Sequence, residues 1–360
     1  MGSKVIHRKF RYKQIMTTEV RRPVTISWYR TPLDPKDMKS LHRRSDWKGG
    51  LQTFGHLGLM ICTGSAVLYS ASHWAVGITL ALLFLHGTVC AFFPNAIHEL
   101  GHGTVFKTKA LNGFFNRIYA FIGWSNFEAF NTSHARHHRY TLHQPDDLEV
   151  TLPVKVLARH FFMFGFVNIL APWQVLKFHM RYACGRFEGP WETALFPEGC
   201  EEARATIRLA RTMLAGHLAI IVVSIWFQLW MVPVVTTFCS FYGAWLFFLC
   251  NNTQHIGLQD DVPDFRLCCR TFTTNPVVQF LYWHMNFHTE HHMYAAVPCY
   301  NLSRLHELIK YDLPPCPHGL IATWQEIAAI QKIQEADPAY QHQAKLPSVT
   351  ESAVAALTYH

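Results

Sequence analysis

The chain has 360 residues, half of them hydrophobic, and a formal net charge of +8. Length alone would suit two soluble domains, but the apolar residues gather in two long blocks, which excludes an ordinary soluble protein. Residues 1–50 hold 13 Lys and Arg against four acids, a balance of +9, so the positive charge belongs to the N-terminal arm.

In chain order, that basic arm comes first. It suits anionic lipid headgroups, an acidic protein, or simply a topology signal. "MGSKVIHRKFRYK" has no apolar core behind its charges, so no cleavable signal is expected, and Gly2 lacks the Ser or Thr that myristoylation requires. Between Lys48 and Glu99 no Asp, Glu, Lys or Arg occurs for 50 residues, and between Arg211 and Asp260 none occurs for 48. Each block accommodates two membrane helices of about 20 residues. The expected spans lie near 52–72, 75–95, 213–231 and 233–250, forming two hairpins. The turns around His73 and Pro233 carry no Lys or Arg, so the charged side, with both termini, is expected to be cytoplasmic. The expectation is therefore an all-α integral membrane protein. It has four transmembrane helices in two hairpins over residues 51–310, a cytoplasmic histidine-rich cap and a cytoplasmic tail over 311–360. The tail is read as one amphipathic helix followed by a polar, disordered end.

Histidine is abundant, with 23 copies, and its chemistry concentrates just outside the expected spans. "HELGH" places His98 and His102 one helical turn apart with Glu99 between them, which read alone is a zinc-protease signature. "LNGFFNRIYAFIGW" reads as an interfacial helix, which keeps the next box on the same side. That box, "HARHH", supplies His134, His137 and His138. The apolar stretch 161–176 reads as interfacial or re-entrant, because a fifth crossing would separate the boxes. "NNTQH" offers Asn251 and His255 after the last span. "HTEHH" supplies His288, His291 and His292. Positions i, i+3 and i+4 share one helix face, so each triplet presents its imidazoles together.

Nine histidines on one membrane border exceed what a single ion takes, which points to two metals. Imidazole alone admits zinc, copper, iron or nickel, and a dense two-metal site in a membrane without hydrolytic apparatus favours iron. Glu99, Asp146, Asp147, Glu149, Asp260, Asp261 and Glu290 are the acids placed to hold imidazole N–H groups, and Glu99 fits that task better than the role of protease base. His56, His73, His86 and His217 read as buried residues bonded to backbone carbonyls. His143 and His284 read as outer supports or substitute ligands. The ten cysteines form no CxxC pair and read as reduced thiols.

"HELGHGTVFKTKALN", "NTQHIGLQDDVPDFRLCCRTFTTNP" and "WHMNFHTEHHMYAAVPCYNLSRLH" resemble the membrane fatty acid desaturase and hydroxylase superfamily, in its bacterial desaturase-like branch, which includes hydrocarbon oxygenases. The likeness runs over roughly residues 50–310. It implies two iron ions ligated by His98, His102, His134, His137, His138, His255, His288, His291 and His292, with O2 as co-substrate. The spacing from Asn251 to His255 is similar to the stearoyl desaturase pattern, in which an Asn holds a water on one iron. Glu99 and Asn251 are thus the candidate catalytic residues.

The implied reaction is O2-dependent oxidation of an unactivated C–H bond, with fatty acyl desaturation first. Hydroxylation, oxidative decarboxylation and oxygenation of a small polar molecule are the alternatives. From another class, an intramembrane zinc protease would use His98, Glu99 and His102 and leave the other seven histidines without a task. No HPGG haem motif, CxxC pair or Gly-rich nucleotide loop is present. Electrons are therefore expected from a separate ferredoxin, rubredoxin or cytochrome b5 with its reductase. The other expected partners are the bilayer and a lipid-like or small-molecule substrate, not nucleic acid.

Overall fold

The computed structural model of the chain describes residues 25–348, and among these every regular element is helical. The basic residues before 25, the Gly2 position and the polar end after 348 lie outside the described residues. Ser45 caps helix α1 (Asp46–His73), accepting from the Lys48 amide at 3.3 Å, and Asp46 adds a negative charge to the first turn. No proline interrupts the apolar residues that follow, so α1 runs for 28 residues. Trp74 and Ala75 turn the chain into α2 (Val76–Cys90), which continues through a short turn into α3 (Phe93–Gly101). Next come α4 (Lys109–Ile122), the expected amphipathic helix, and α5 (Phe127–Tyr140). The 161–176 stretch is not one continuous helix: it breaks into α6 (Ala158–Gly165) and the start of α7 (Ala171–Ala183).

Helix α8 (Glu201–Trp226) begins well before the expected span near 213. Charge excludes residues from hydrocarbon but not from a helix. Glu201 pairs with Arg204 at 2.7 Å and Arg208 at 2.9 Å, which sustains the helix through its polar first turns. Among the described residues three helical stretches, α1, Val76–Gly101 and α8, are long and apolar enough to cross a membrane. In α1 and α8 only 22% of the apolar window is buried, leaving Phe54, Ile61, Leu218 and Trp226 exposed. Water does not tolerate apolar surface on this scale, and lipid does.

The fourth expected span, 233–250, is not a continuous helix. The chain makes the short helix Met231–Val235, a 3-10 turn at Cys239–Phe241, and α9 (Trp245–Asn251). Pro233 lacks the amide a helix needs, and Gly243 sits at φ +70°, in the left-handed region. Broken backbone in an apolar setting needs other partners, and here they are visible. The Val234 carbonyl accepts from the Tyr242 hydroxyl at 2.9 Å, Val235 from His86 Nε2 at 2.9 Å, and Thr237 from Trp124 Nε1 at 2.7 Å. The break between α6 and α7 pairs with the same segment, Asn168 N donating to the Phe241 carbonyl at 2.9 Å and Gly243 N to Phe166 at 2.6 Å.

His56, His86 and His217 are buried and donate to the carbonyls of Val89, Val235 and Phe121, as expected, each tying its helix to another element. His73 departs from the expectation: it is exposed and caps its own helix on Tyr69. Helix α10 (His288–Met293) carries the last box. The described part of the tail packs on the rest of the protein. Helix α11 (Gly319–Ala336) docks through Trp324 Nε1 on the Leu249 carbonyl at 3.0 Å and Glu326 on Arg270 at 3.1 Å, and His342 N reaches the Gly257 carbonyl at 2.8 Å.

A methyl group added at Gly87 would lie 2.1 Å from the Tyr242 carbonyl oxygen. Gly87→Ala is therefore expected to push the broken segment off α2 and cost about 1–3 kcal/mol. Gly77→Ala, where nothing lies within 4 Å, is expected to be neutral or stabilising. Thermal unfolding in detergent checks this, and equal melting of the two variants would contradict it.

Candidate metal centre

The three boxes arrive on separate elements. Helix α3 packs on α4 and α5, and α5 packs also on α8, so the first and second boxes face each other before the third is added. Asn126 caps α5 by accepting from the Ala129 amide at 3.2 Å, with Glu128 in the first turn. The cap fixes the register that puts His134, His137 and His138 on one face.

The imidazoles form two adjoining groups. In the first, ligand atoms of His98, His102, His134, His138 and His291 lie within 4.8 Å of one another. In the second, those of His255, His288, His292 and Cys269 do the same. His137 borders the second group, its ring centroid 5.3 Å from His255 and 5.0 Å from His292. The groups touch through His138 and His292, 4.3 Å apart between ring centroids.

Which nitrogen faces inward follows from what holds the other. A carboxylate or carbonyl oxygen can only accept, so the imidazole nitrogen against it carries the proton. His98 Nδ1 donates to Glu99 at 2.9 Å, His134 Nδ1 to Glu149 at 2.8 Å, His137 Nδ1 to Asp147 at 2.8 Å, and His255 Nδ1 to the Cys268 carbonyl at 2.8 Å. The Thr141 hydroxyl spends its proton on the His137 carbonyl and so accepts from His292 Nδ1 at 3.2 Å. All five rings are left with a bare Nε2, the form that binds a metal.

Most of those bare nitrogens have no protein partner. Nε2 of His98, His102, His134 and His292 is buried without a hydrogen bond. His291 Nε2 lies 3.1 Å from His138 Nε2, and His288 Nε2 lies 3.0 Å from His255 Nε2. An orphaned buried acceptor costs about 1–3 kcal/mol, and a cluster of them converging on two points fits a pair of cations. Burial, and then the neighbouring histidines, hold His134, His138, His288, His291 and His292 well below the ordinary histidine value. They stay neutral, as ligation requires. For His137 burial works against the charge, but the Asp147 hydrogen bond and carboxylate outweigh it and the net shift is upward.

Glu99 is wholly buried, bound to His98 and 3.5 Å from His291 Nδ1. Its Oε1 accepts from His98 Nδ1 and lies beside His291, so this oxygen supports two ligands of one group. Asp147 is a hub, accepting from the amides of Leu142 at 2.8 Å and Glu149 at 2.9 Å besides His137. Among the other acids, Asp146 faces Arg136 at 3.6 Å, Asp260 bonds Gln341, and Glu290 braces His306 and Thr271 at 2.5 Å each. Asp261 N meets the Leu142 carbonyl at 3.4 Å.

Asn251 ends α9, half-buried, four residues ahead of His255. His143 bonds the carbonyls of Tyr140 and Thr141, His284 pairs with Gln279 at 3.2 Å, and neither falls within the two groups. Cys269 and the supports Thr141 and His306 escape sequence reasoning. Nothing in the "CC" doublet signals that one thiol would face imidazoles, although "NLSRLH" does place His306 near the third box.

Asp147→Asn removes the acceptor charge behind His137 and is expected to weaken metal binding about 10- to 100-fold, with His143→Ala unchanged. Metal titration of the purified protein reads this, and equal affinities would remove Asp147 from the support. In the metal-free chain, unfolded histidines take up protons near 6.5, above the depressed folded values. Stability is thus full above pH 6.5 and falls as the pH drops below it. Melting temperatures at several pH values check the sign.

The family model for fatty acid desaturase matches residues 72–324. Among curated proteins none matches the chain. The matched region is more than half of the sequence and contains every imidazole of both groups. The chain belongs to the fatty acid desaturase family.

Proposed function

We propose that this protein oxidises an unactivated C–H bond of a fatty acyl chain with O2, at a pair of iron ions held by the two imidazole groups, and that the outcome is desaturation. The carrying observation is the convergence of bare, buried imidazole nitrogens on two adjoining points. The iron pair would supply what no side chain can: two electrons, and a site where O2 becomes an oxidant strong enough for a C–H bond. His98, His102, His134, His138 and His291 would hold one ion, and His137, His255, His288 and His292 the other.

The residues around the ligands prepare that chemistry. Glu99, Asp147 and Glu149 keep the Nδ1 protons of His98, His137 and His134 in place, which fixes ring orientation and raises ligand basicity. Packing keeps most of the ligand rings from water, which limits quenching of a reactive oxidant by solvent. Asn251, at its α9 position, would orient a water near the second ion, with no contact to either group required before ligand binding. Choice among alkene, alcohol and decarboxylated product depends on where the acyl chain lies to within about an ångström. A fatty acyl substrate is favoured because the family acts on such chains and α1 and α8 present lipid-compatible surface.

The membrane reading places both termini and the site on the cytoplasmic side, with electrons from a ferredoxin, rubredoxin or cytochrome b5. The zinc-protease alternative is less favoured, because Glu99 Oε1 holds His98 and the protease leaves the other imidazoles of the two groups without a task. Cells expressing the wild type are expected to accumulate an acyl product with an added double bond, absent from His134→Ala cells, and purified protein to carry near two irons per chain. Mass spectrometry and metal analysis read the two outcomes. One zinc per chain with an unaltered lipid profile would end this assignment.

A further inference from the structure

One surface reaches both ligand groups. Trp28, Arg30, His138, Arg139 and Tyr140 line a surface cavity of about 530 Å³. His138, of the first group, is only half-buried there, while most of the ligands are fully buried. The route to the second group is aromatic. Trp28 stacks on Phe265 at 4.1 Å between centroids with the rings 9° from parallel, and Phe265 lies 5.5 Å from the ring of His292. Phe265 is 1% exposed, so the half-buried Trp28 is the outer end of this pair and His292 the inner. The Trp28 indole is pinned by its N–H on the Arg139 carbonyl at 3.0 Å.

The rim is cationic. Arg30 and Arg139 are both exposed, and among the described residues neither guanidinium has an acidic partner; Arg30 Nε is bonded only to the Met293 carbonyl at 2.7 Å. The nearby acid Asp264 is engaged by Arg266 at 2.8 Å. Unpaired surface cations at the mouth of a path to a redox site attract an acidic partner and speed its encounter. Electrons cross packed π systems more readily than gaps, so the ring pair gives that partner a reason to dock here.

We infer that an acidic one-electron carrier protein docks on the face around Trp28, Arg30 and Arg139, and that its electron passes through Trp28 and Phe265 to the metal held by His292. This rests on the oxidase reading above. Each docking would oxidise the reduced carrier by one electron, which a ferric ion held by these residues would take up to become ferrous; no bond forms or breaks, and two dockings would supply the two electrons.

A reduced acidic ferredoxin serves as the probe, with two readouts. Its binding to the metal-free protein in detergent at low salt is expected to weaken about tenfold in Arg139→Glu and to lose its salt dependence. Stopped-flow reduction of the iron-loaded protein by the same ferredoxin is expected to slow several-fold in Trp28→Leu, with binding intact, and to recover in Trp28→Phe. Dithionite, small enough to need no docking, is expected to reduce all variants alike, which also verifies that they are folded and loaded. Unchanged binding in Arg139→Glu overturns the docking site, as does a raised KM for the acyl substrate with ferredoxin binding intact, which would make the cavity a substrate mouth. Unchanged reduction in Trp28→Leu overturns the ring path. A protein that takes up no reducible metal defeats the oxidase reading, while the binding arm still judges the surface.

Discussion

The constraint on which this structure depends is the burial of imidazoles with their lone pairs bare. A buried polar nitrogen without a partner is costly, and here several meet at two adjoining points. The fold sustains that arrangement because the other nitrogen of five rings, those of His98, His134, His137, His255 and His292, is tied down by Glu99, Glu149, Asp147, the Cys268 carbonyl and Thr141. These ties select the tautomer, and the tautomer decides that the rings can bind metal at all. The remaining elements can be understood as the means of bringing three histidine-bearing segments, and the loop carrying His255, to that one place.

The same economy governs the apolar part of the molecule. A chain that breaks helix in a membrane setting must find partners for its freed carbonyls. The segment after Met231 finds them in Tyr242, His86 and Trp124, and in the break between α6 and α7. Two irregular segments thereby complete each other. Gly87 and Gly243 permit the approach, Gly87 lacking the methyl that would meet the Tyr242 carbonyl and Gly243 taking up a conformation that side chains disfavour.

Much of this was legible in the residues. The two uncharged blocks locate α1, α2 and α8, and the i, i+3, i+4 spacing of the boxes anticipates both triplets. The choice of Glu99 as an imidazole holder rather than a hydrolytic base follows from the number of histidines left over otherwise. What the residues hide is long-range. Hydropathy reads 233–250 as a span because it measures transfer of side chains, and is blind to the backbone break that Pro233 and Gly243 allow. The candidate acids could not be ranked, because which carboxylate reaches which ring depends on the loop from Thr141 to Glu149. Cys269 is invisible for the same reason: nothing local tells a buried thiol that imidazoles stand opposite.

The docking of α11 and the residues after it has a consequence for how the protein matures. The turn carrying His255 is held by Arg270, whose guanidinium takes the carbonyls of Thr253 at 2.7 Å and Ile256 at 3.1 Å, and Arg270 is in turn held by Glu326. His342 then closes on Gly257 from behind. During synthesis the first two boxes emerge well before Glu326 and His342, which clamp the turn of His255. The second ion would therefore find its complete cage only after the segment around His342 has been made and has docked, so that metal loading there would lag behind the meeting of the first two boxes.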